Sequence, residues 1–242
     1  GIISNNNFYN FKRLGTNSID ELKNDLMSTN NIIGHTRWAT HGCITENNCH
    51  PHISNCNRFN LVHNGIIENY SSLKQFLKKE GCKFYSDTDT EVIVNLIQYY
   101  FVKLDNIEKA IVKATEKCQG TWGLVIQYIN EPEILYCIRN GSPLIVGSNE
   151  KLTIVTSEIS GFNNEITNYT YLESNKLYSI KHCKSIQYDY KLEKNIETNL
   201  GKFKHWNLKE IYEQKDIIKK ITCNGSRIKN NKIKFGGLRK YR

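Results

Sequence analysis

Apolar and polar positions follow two rhythms along this chain, and those rhythms predict its elements. Ser18-Ile-Asp-Glu21 has the form of a capping box, and Ile19, Leu22 and Leu26 follow at helical spacing, which predicts a short helix. The stretch 69–80 puts Leu73, Phe76 and Leu77 on one face and runs into Gly81, a residue suited to the left-handed stop position. Two longer helices are expected over 89–102 and 106–118. Runs rich in β-branched and aromatic residues predict strands over 8–14, 31–38, 58–63, 121–129, 134–139, 152–156 and 176–190. Several are joined by short turns, such as Asn130-Glu131-Pro132 and Asn140-Gly141. Strands outnumber helices, so the expected class is α+β with antiparallel sheets rather than a doubly wound parallel sheet.

Composition narrows this further. A chain of 242 residues with 39% apolar and 24% charged side chains can bury a sizeable core, and no apolar run approaches the length of a membrane helix. The first ten residues, GIISNNNFYN, have neither an initiator Met nor the basic-then-apolar pattern of a secretory signal. With eight Cys at ordinary density, free thiols and a cytoplasmic location are expected. The net charge of +9 suggests an anionic partner until its distribution is examined. Nine of the 33 basic residues lie in 217–242, which holds no Asp or Glu, and the other 24 balance the 24 acidic side chains. The basicity belongs to the tail, which disfavours nucleic acid as the partner of the body.

Five of the seven His, at 35, 41, 50, 52 and 63, fall close together beside Cys43, Cys49 and Cys56. The cysteine spacing is too wide for a zinc knuckle, so no metal is expected. In 34–42, GHTRWATHG, a β-rich run ends with Arg37, Thr40 and His41 in one turn. A guanidinium fork with a hydroxyl and an imidazole suits a planar carboxylate, although a core Trp38 and a structural ion pair at Arg37 explain the same residues. His63-Asn64-Gly65 follows a strand where the chain is expected to turn. It offers either an ordinary Asn-Gly turn or two donors, an Asn amide and a Gly N–H, of the kind an oxyanion hole needs. Ser86-Asp-Thr-Asp-Thr-Glu91 opens a helix, so most of its oxygens can be explained as caps; the alternative is that Asp89 reaches a ligand ammonium.

Together these segments are similar to one family. GHTRWATHG at 34–42, HPH at 50–52, HNGIIENY at 63–70, SDTDTEVI at 86–93, TWGLVI at 121–126 and GSPLIVG at 141–147 resemble, in order, the N-terminal class II glutamine amidotransferase domain of glutamine:fructose-6-phosphate aminotransferase. His205-Trp-Asn-Leu-Lys-Glu-Ile-Tyr-Glu-Gln214 resembles that family's segment leading to its sugar-isomerase domain. The resemblance implies an N-terminal-nucleophile hydrolase-like four-layer αββα sandwich over 1–204 and a basic linker over 205–242. It implies hydrolysis of L-glutamine to glutamate and ammonia for glucosamine 6-phosphate synthesis, without a cofactor. Fructose 6-phosphate would be reached only through an isomerase domain, and a longer native chain would form a homodimer. By the same resemblance Arg37, Thr40 and His41 hold the glutamine α-carboxylate, Asp89 its α-ammonium, Asn64 and Gly65 the oxyanion, and Trp38 gates the site.

The sequence departs from the family at its start. Family members begin with a mature Cys whose thiolate attacks the amide and whose α-amino group acts as base; here Gly1 stands first and the Arg-Gly-Tyr-Asp-Ser segment is missing. Either Gly1-Ile-Ile-Ser is the strand that follows that segment, which the intact later spacing favours, or Gly1 is the residue after the Cys. On both accounts this polypeptide is expected not to turn over glutamine by itself. A non-catalytic glutamine-binding relative and another class II amidotransferase are the competing functions.

Overall fold

The computed structural model describes residues 2–4, 9–15, 31–37, 43–163, 165–181, 187–192, 200–222, 228–229 and 232–233. They fall into two units, Gly1–Ile196 and Glu197–Arg242.

The first unit is built on a five-stranded antiparallel sheet in the order β11-β7-β6-β5-β4: Tyr178–Lys181, Ile134–Asn140, Gly120–Tyr128, Phe59–Ile67 and His52–Ile53. Its long central pair runs from Phe59↔Tyr128 to Ile67↔Gly120. Period-two alternation sends successive side chains of β6 to opposite faces. Trp122, Leu124, Ile126 and Tyr128 join Phe59, Leu61 and Ile67 in the core under the helices, while Val125 joins Val62 and Cys137 in a second core on the other face.

Three helices cover the first face. They are α1 (Tyr70–Lys79), α2 (Asp89–Leu104) and α3 (Ile107–Thr115). Helix α2 starts because Thr88, in extended conformation, accepts the Glu91 N–H on its hydroxyl. It stops at Asp105, whose backbone is left-handed. Val92, Ile93, Val94 and Ile97 are all fully buried, as a helix lying between the sheet and its neighbours α1 and α3 requires.

On the second face lies a four-stranded antiparallel sheet, β12-β10-β8-β9: Tyr190–Lys191, Asn168–Tyr171, Ile145–Ser148 and Thr153–Thr156. Leu144, Val146 and Leu172 from this side pack against Val62, Val125 and Cys137. The Arg139 Nε–H donates to the Leu172 carbonyl at 2.6 Å and ties β7 to it. A three-stranded antiparallel sheet, β2-β1-β3, holds Tyr9–Phe11, Ile2–Ser4 and Ile32–Gly34, with Ile33 reaching the same intersheet core. Among the described residues every strand ladder is antiparallel, and the order helix, sheet, sheet makes an α+β sandwich, the class that the sequence predicts, with three of the four expected layers described. Over the outer face of the four-stranded sheet a 3-10 turn, Ile159–Phe162, buries Phe162 against Ile145, Ile166 and Tyr169. The helix expected after Ser18 lies outside the described residues.

In the second unit, α4 (Trp206–Ile221) occupies much of the stretch expected as linker, followed by a hairpin of β13 (Ile228–Lys229) and β14 (Lys232–Ile233). No helix among the described residues is long and apolar enough to cross a membrane.

Candidate active site

Three stretches far apart in sequence meet at one cavity of about 150 Å³. His35, Thr36 and Arg37 leave β3, Asn64 and Gly65 lie within β5, and Thr88, Asp89 and Thr90 start α2; His50 and His63 complete the wall.

The hydrophobic pattern predicts a turn at His63-Asn64-Gly65, and here the structure differs. Strand β5 continues through them to Ile67 because β6 offers an unbroken partner as far as Gly120. Gly65 makes this possible. Its φ is +131°, and a Cβ there would stand 2.1 Å from the Thr121 carbonyl oxygen, so any larger residue collides with backbone.

Asn64 is held by its oxygen. Its Oδ1 lies 2.7 Å from His35 Nε2, which places the His35 proton on Nε2 and leaves the Asn64 amide hydrogens for the cavity. The His35 and His50 rings lie 4.1 Å apart, and His50 lies 5.1 Å from His52. Thr90 Oγ1 is the meeting point of the inner wall, 3.2 Å from His50 Nε2, 3.1 Å from His63 Nδ1 and 3.4 Å from Asp89 Oδ1. His52 Nε2 lies 3.0 Å from Thr88 Oγ1 in the same way.

Burial pushes the pKa of all four imidazoles down, that of His50 and His52 well down. Neighbouring imidazoles and the cations Arg37 and Lys12 add to this at His50 and His52, while Asp89 opposes it at His63. At neutral pH the cluster is therefore uncharged and serves as hydrogen-bonding scaffold. Asp89 supplies the negative charge. It stands in the first turn of α2, where the helix dipole favours a carboxylate, and its Oδ2 accepts the Ile67 N–H at 2.8 Å. Arg37 supplies the positive charge, with Nη1 donating to the Cys43 carbonyl at 3.3 Å.

Of the site residues expected from sequence, Arg37, Asn64, Gly65 and Asp89 come together at this cavity. Trp38, Thr40 and His41 lie outside the described residues. Sequence reasoning passed over Thr90 as a helix cap and over His35 and His63 as unassigned members of a cluster; the crowding of His residues was their signal. Among the described residues no group of His, Cys, Asp and Glu is arranged to hold a metal ion, and no cysteine lines the cavity. Burial pushes the Cys118 thiol up to about 12 and that of Cys137 higher, far from a reactive thiolate.

The family model described as a glutamine amidotransferase domain matches residues 35–164, the stretch that contains these four residues. The chain belongs to that family. Curated relatives that it matches include aminotransferases. A probable glutamine–fructose-6-phosphate aminotransferase (isomerizing) of Acanthamoeba polyphaga mimivirus is 37% identical over 218 residues, covering 84% of this chain and 35% of the relative. The corresponding enzymes of Thermococcus kodakarensis and Fusobacterium nucleatum are 37% and 38% identical, covering 90% and 84% of this chain and 39% and 35% of their own lengths. The chain thus spans little more than a third of these relatives.

Proposed function

We propose that the cavity binds L-glutamine and that the chain is the glutaminase part of an enzyme making glucosamine 6-phosphate from fructose 6-phosphate. The observation that carries this is the convergence of Arg37, Asn64, Gly65 and Asp89 on one small polar cavity. An α-amino acid presents a carboxylate and an ammonium on one carbon, and a guanidinium opposite a carboxylate is the matching pair. The amide then reaches the Asn64 NH2 and the Gly65 N–H, donors suited to the oxyanion that forms when the amide carbonyl is attacked. In this reading Thr40 and His41 join Arg37 on the α-carboxylate and Trp38 gates the cavity. Residues 205–242 connect to the acceptor domain of a longer, dimeric, cytoplasmic protein.

The nucleophile is the N-terminal Cys characteristic of the family the chain resembles. Its α-amino group takes the thiol proton and passes it to the amide nitrogen, which leaves as ammonia as the C–N bond breaks, and water then hydrolyses the thioester to glutamate. The test is calorimetric titration of the chain with L-glutamine. Saturable binding is expected, weakened at least about tenfold by Arg37→Ala or Asp89→Asn, each of which removes a charged hydrogen bond to the ligand. Equal binding by these variants would sink the assignment.

A further inference from the structure

The geometry points to Asn48 as a positioning residue that fixes the separation between the two charged anchors of the cavity; this rests on the glutamine reading above. Asn48 lies in a short 3-10 turn, Glu46–Asn48, and is only 2% exposed. It touches none of the cavity itself. Its Oδ1 accepts the Asp87 N–H at 2.9 Å, and its Nδ2 donates to the Cys43 carbonyl at 2.9 Å and approaches Asp87 Oδ2 at 3.4 Å. The Cys43 carbonyl is also the acceptor of Arg37 Nη1. Asp87 stands two residues before Asp89, in the turn that opens α2.

A single buried amide therefore ties the loop that steadies Arg37 to the turn that presents Asp89. No backbone hydrogen bond described between these two segments does the same. The requirement is chemical. The carboxylate and ammonium of glutamine share one carbon, so their partners must keep a fixed distance, and an error of an ångström costs a two-point ligand far more than a one-point ligand. The turn has other partners: Glu91 accepts the Tyr85 and Ser86 N–H groups from within the same loop, Asp89 accepts the Ile67 N–H, and His52 and His50 meet Thr88 and Thr90. Asn48 differs from these in bonding the Cys43 carbonyl that Arg37 also uses.

The experiment titrates the full chain, unaltered and carrying Asn48→Ala or Asn48→Asp, with three ligands. These are L-glutamine, glutaramate (which lacks the ammonium) and 4-aminobutanamide (which lacks the carboxylate). Asn48→Asp keeps an acceptor for the Asp87 N–H but loses the donor to Cys43, so both variants cut the tie. Each is expected to bind glutamine about tenfold more weakly, with losses below about threefold for the two one-point ligands. Unchanged glutamine binding, or equal loss of all three ligands, overturns the assignment of Asn48 while leaving the glutamine site intact. An unaltered chain that binds no glutamine overturns the site and this inference together. If neither variant folds, hydrogen exchange in the unaltered chain decides: glutamine should slow exchange at the Asp87 N–H, and an unchanged rate there overturns the tie.

Discussion

His35 does the work of a fastener rather than of an acid or base. Its Nε2 proton fixes the oxygen of Asn64, and its ring lies against that of His50, itself held by Thr90. Such a scaffold functions only while neutral, which gives a pH signature. Burial lowers the folded pKa of His35, His50, His52 and His63 below the value near 6.5 of an unfolded histidine. Between those values the unfolded chain binds more protons than the folded one. The contribution of these groups to stability is therefore complete above about pH 6.5 and is lost as pH falls through the depressed folded values. The urea midpoint of unfolding is expected to fall steeply between pH 7 and 5, and His52→Gln to flatten that slope; a flat profile in the unaltered chain would exclude a buried neutral cluster. Gly65 offers a second test at this scale. Gly65→Ala meets both a positive φ and the Thr121 carbonyl, whereas Gly81→Ala, at φ +86°, meets nothing within 4 Å. The first is expected to cost about 3 kcal/mol or more and the second only about 1 kcal/mol, measured by urea unfolding. Both glycines stand out in the sequence as turn residues. That one of them sits inside a strand was not legible, because the φ of Gly65 is set by its partner strand.

At the scale of elements, helices were easier to read than strands. The expected stretches 69–80, 89–102 and 106–118 become Tyr70–Lys79, Asp89–Leu104 and Ile107–Thr115, since caps such as Thr88 and Asn106 are local signals. The expected strand over 176–190 is instead two short strands in different sheets, β11 and β12, and β4, β8 and β10 were not anticipated. Strands of two to four residues carry too few alternations to register as a period, and their partners lie far away in sequence. One feature of the central pair runs against its surroundings. Asn60 and Gln127 face each other across β5 and β6, on the side of Val62 and Val125, and are 0% and 1% exposed. All four of their side-chain amide atoms lack a hydrogen-bond partner. A buried polar group without a partner carries its desolvation cost uncompensated, while apolar side chains of similar shape do not. The double change Asn60→Leu with Gln127→Leu is accordingly expected to stabilise the fold by about 1–3 kcal/mol in urea unfolding. A loss of stability would show that the pair is satisfied in solution, for instance by an enclosed water.

For the molecule as a whole, the cavity lies where the first sheet segment, the central strand and the main helix meet, so it exists only when all three are in place. β5 and α2 belong to the larger hydrophobic core, and Ile33 of β3 to the intersheet core. The sequence made the site legible through ordered motifs without showing this dependence, because hydrogen bonds between segments 20 to 40 residues apart, such as Ile67 to Asp89 and Asn48 to Asp87, leave no local pattern. A ligand that binds only the assembled cavity must then stabilise the whole first unit. Linkage sets the size of the effect: about 2.7 kcal/mol when free L-glutamine reaches a hundred times its dissociation constant, rising by about 1.4 kcal/mol for each further tenfold. Denaturant unfolding at increasing glutamine is expected to follow that line in the unaltered chain. In Asp89→Asn the same curve should shift to at least about tenfold higher ligand, since only the affinity changes. D-glutamine presents the same groups with inverted placement on the α-carbon and is expected to give little stabilisation. Equal stabilisation by both enantiomers would mean that the chain binds glutamine without using Arg37 and Asp89 as a fixed pair.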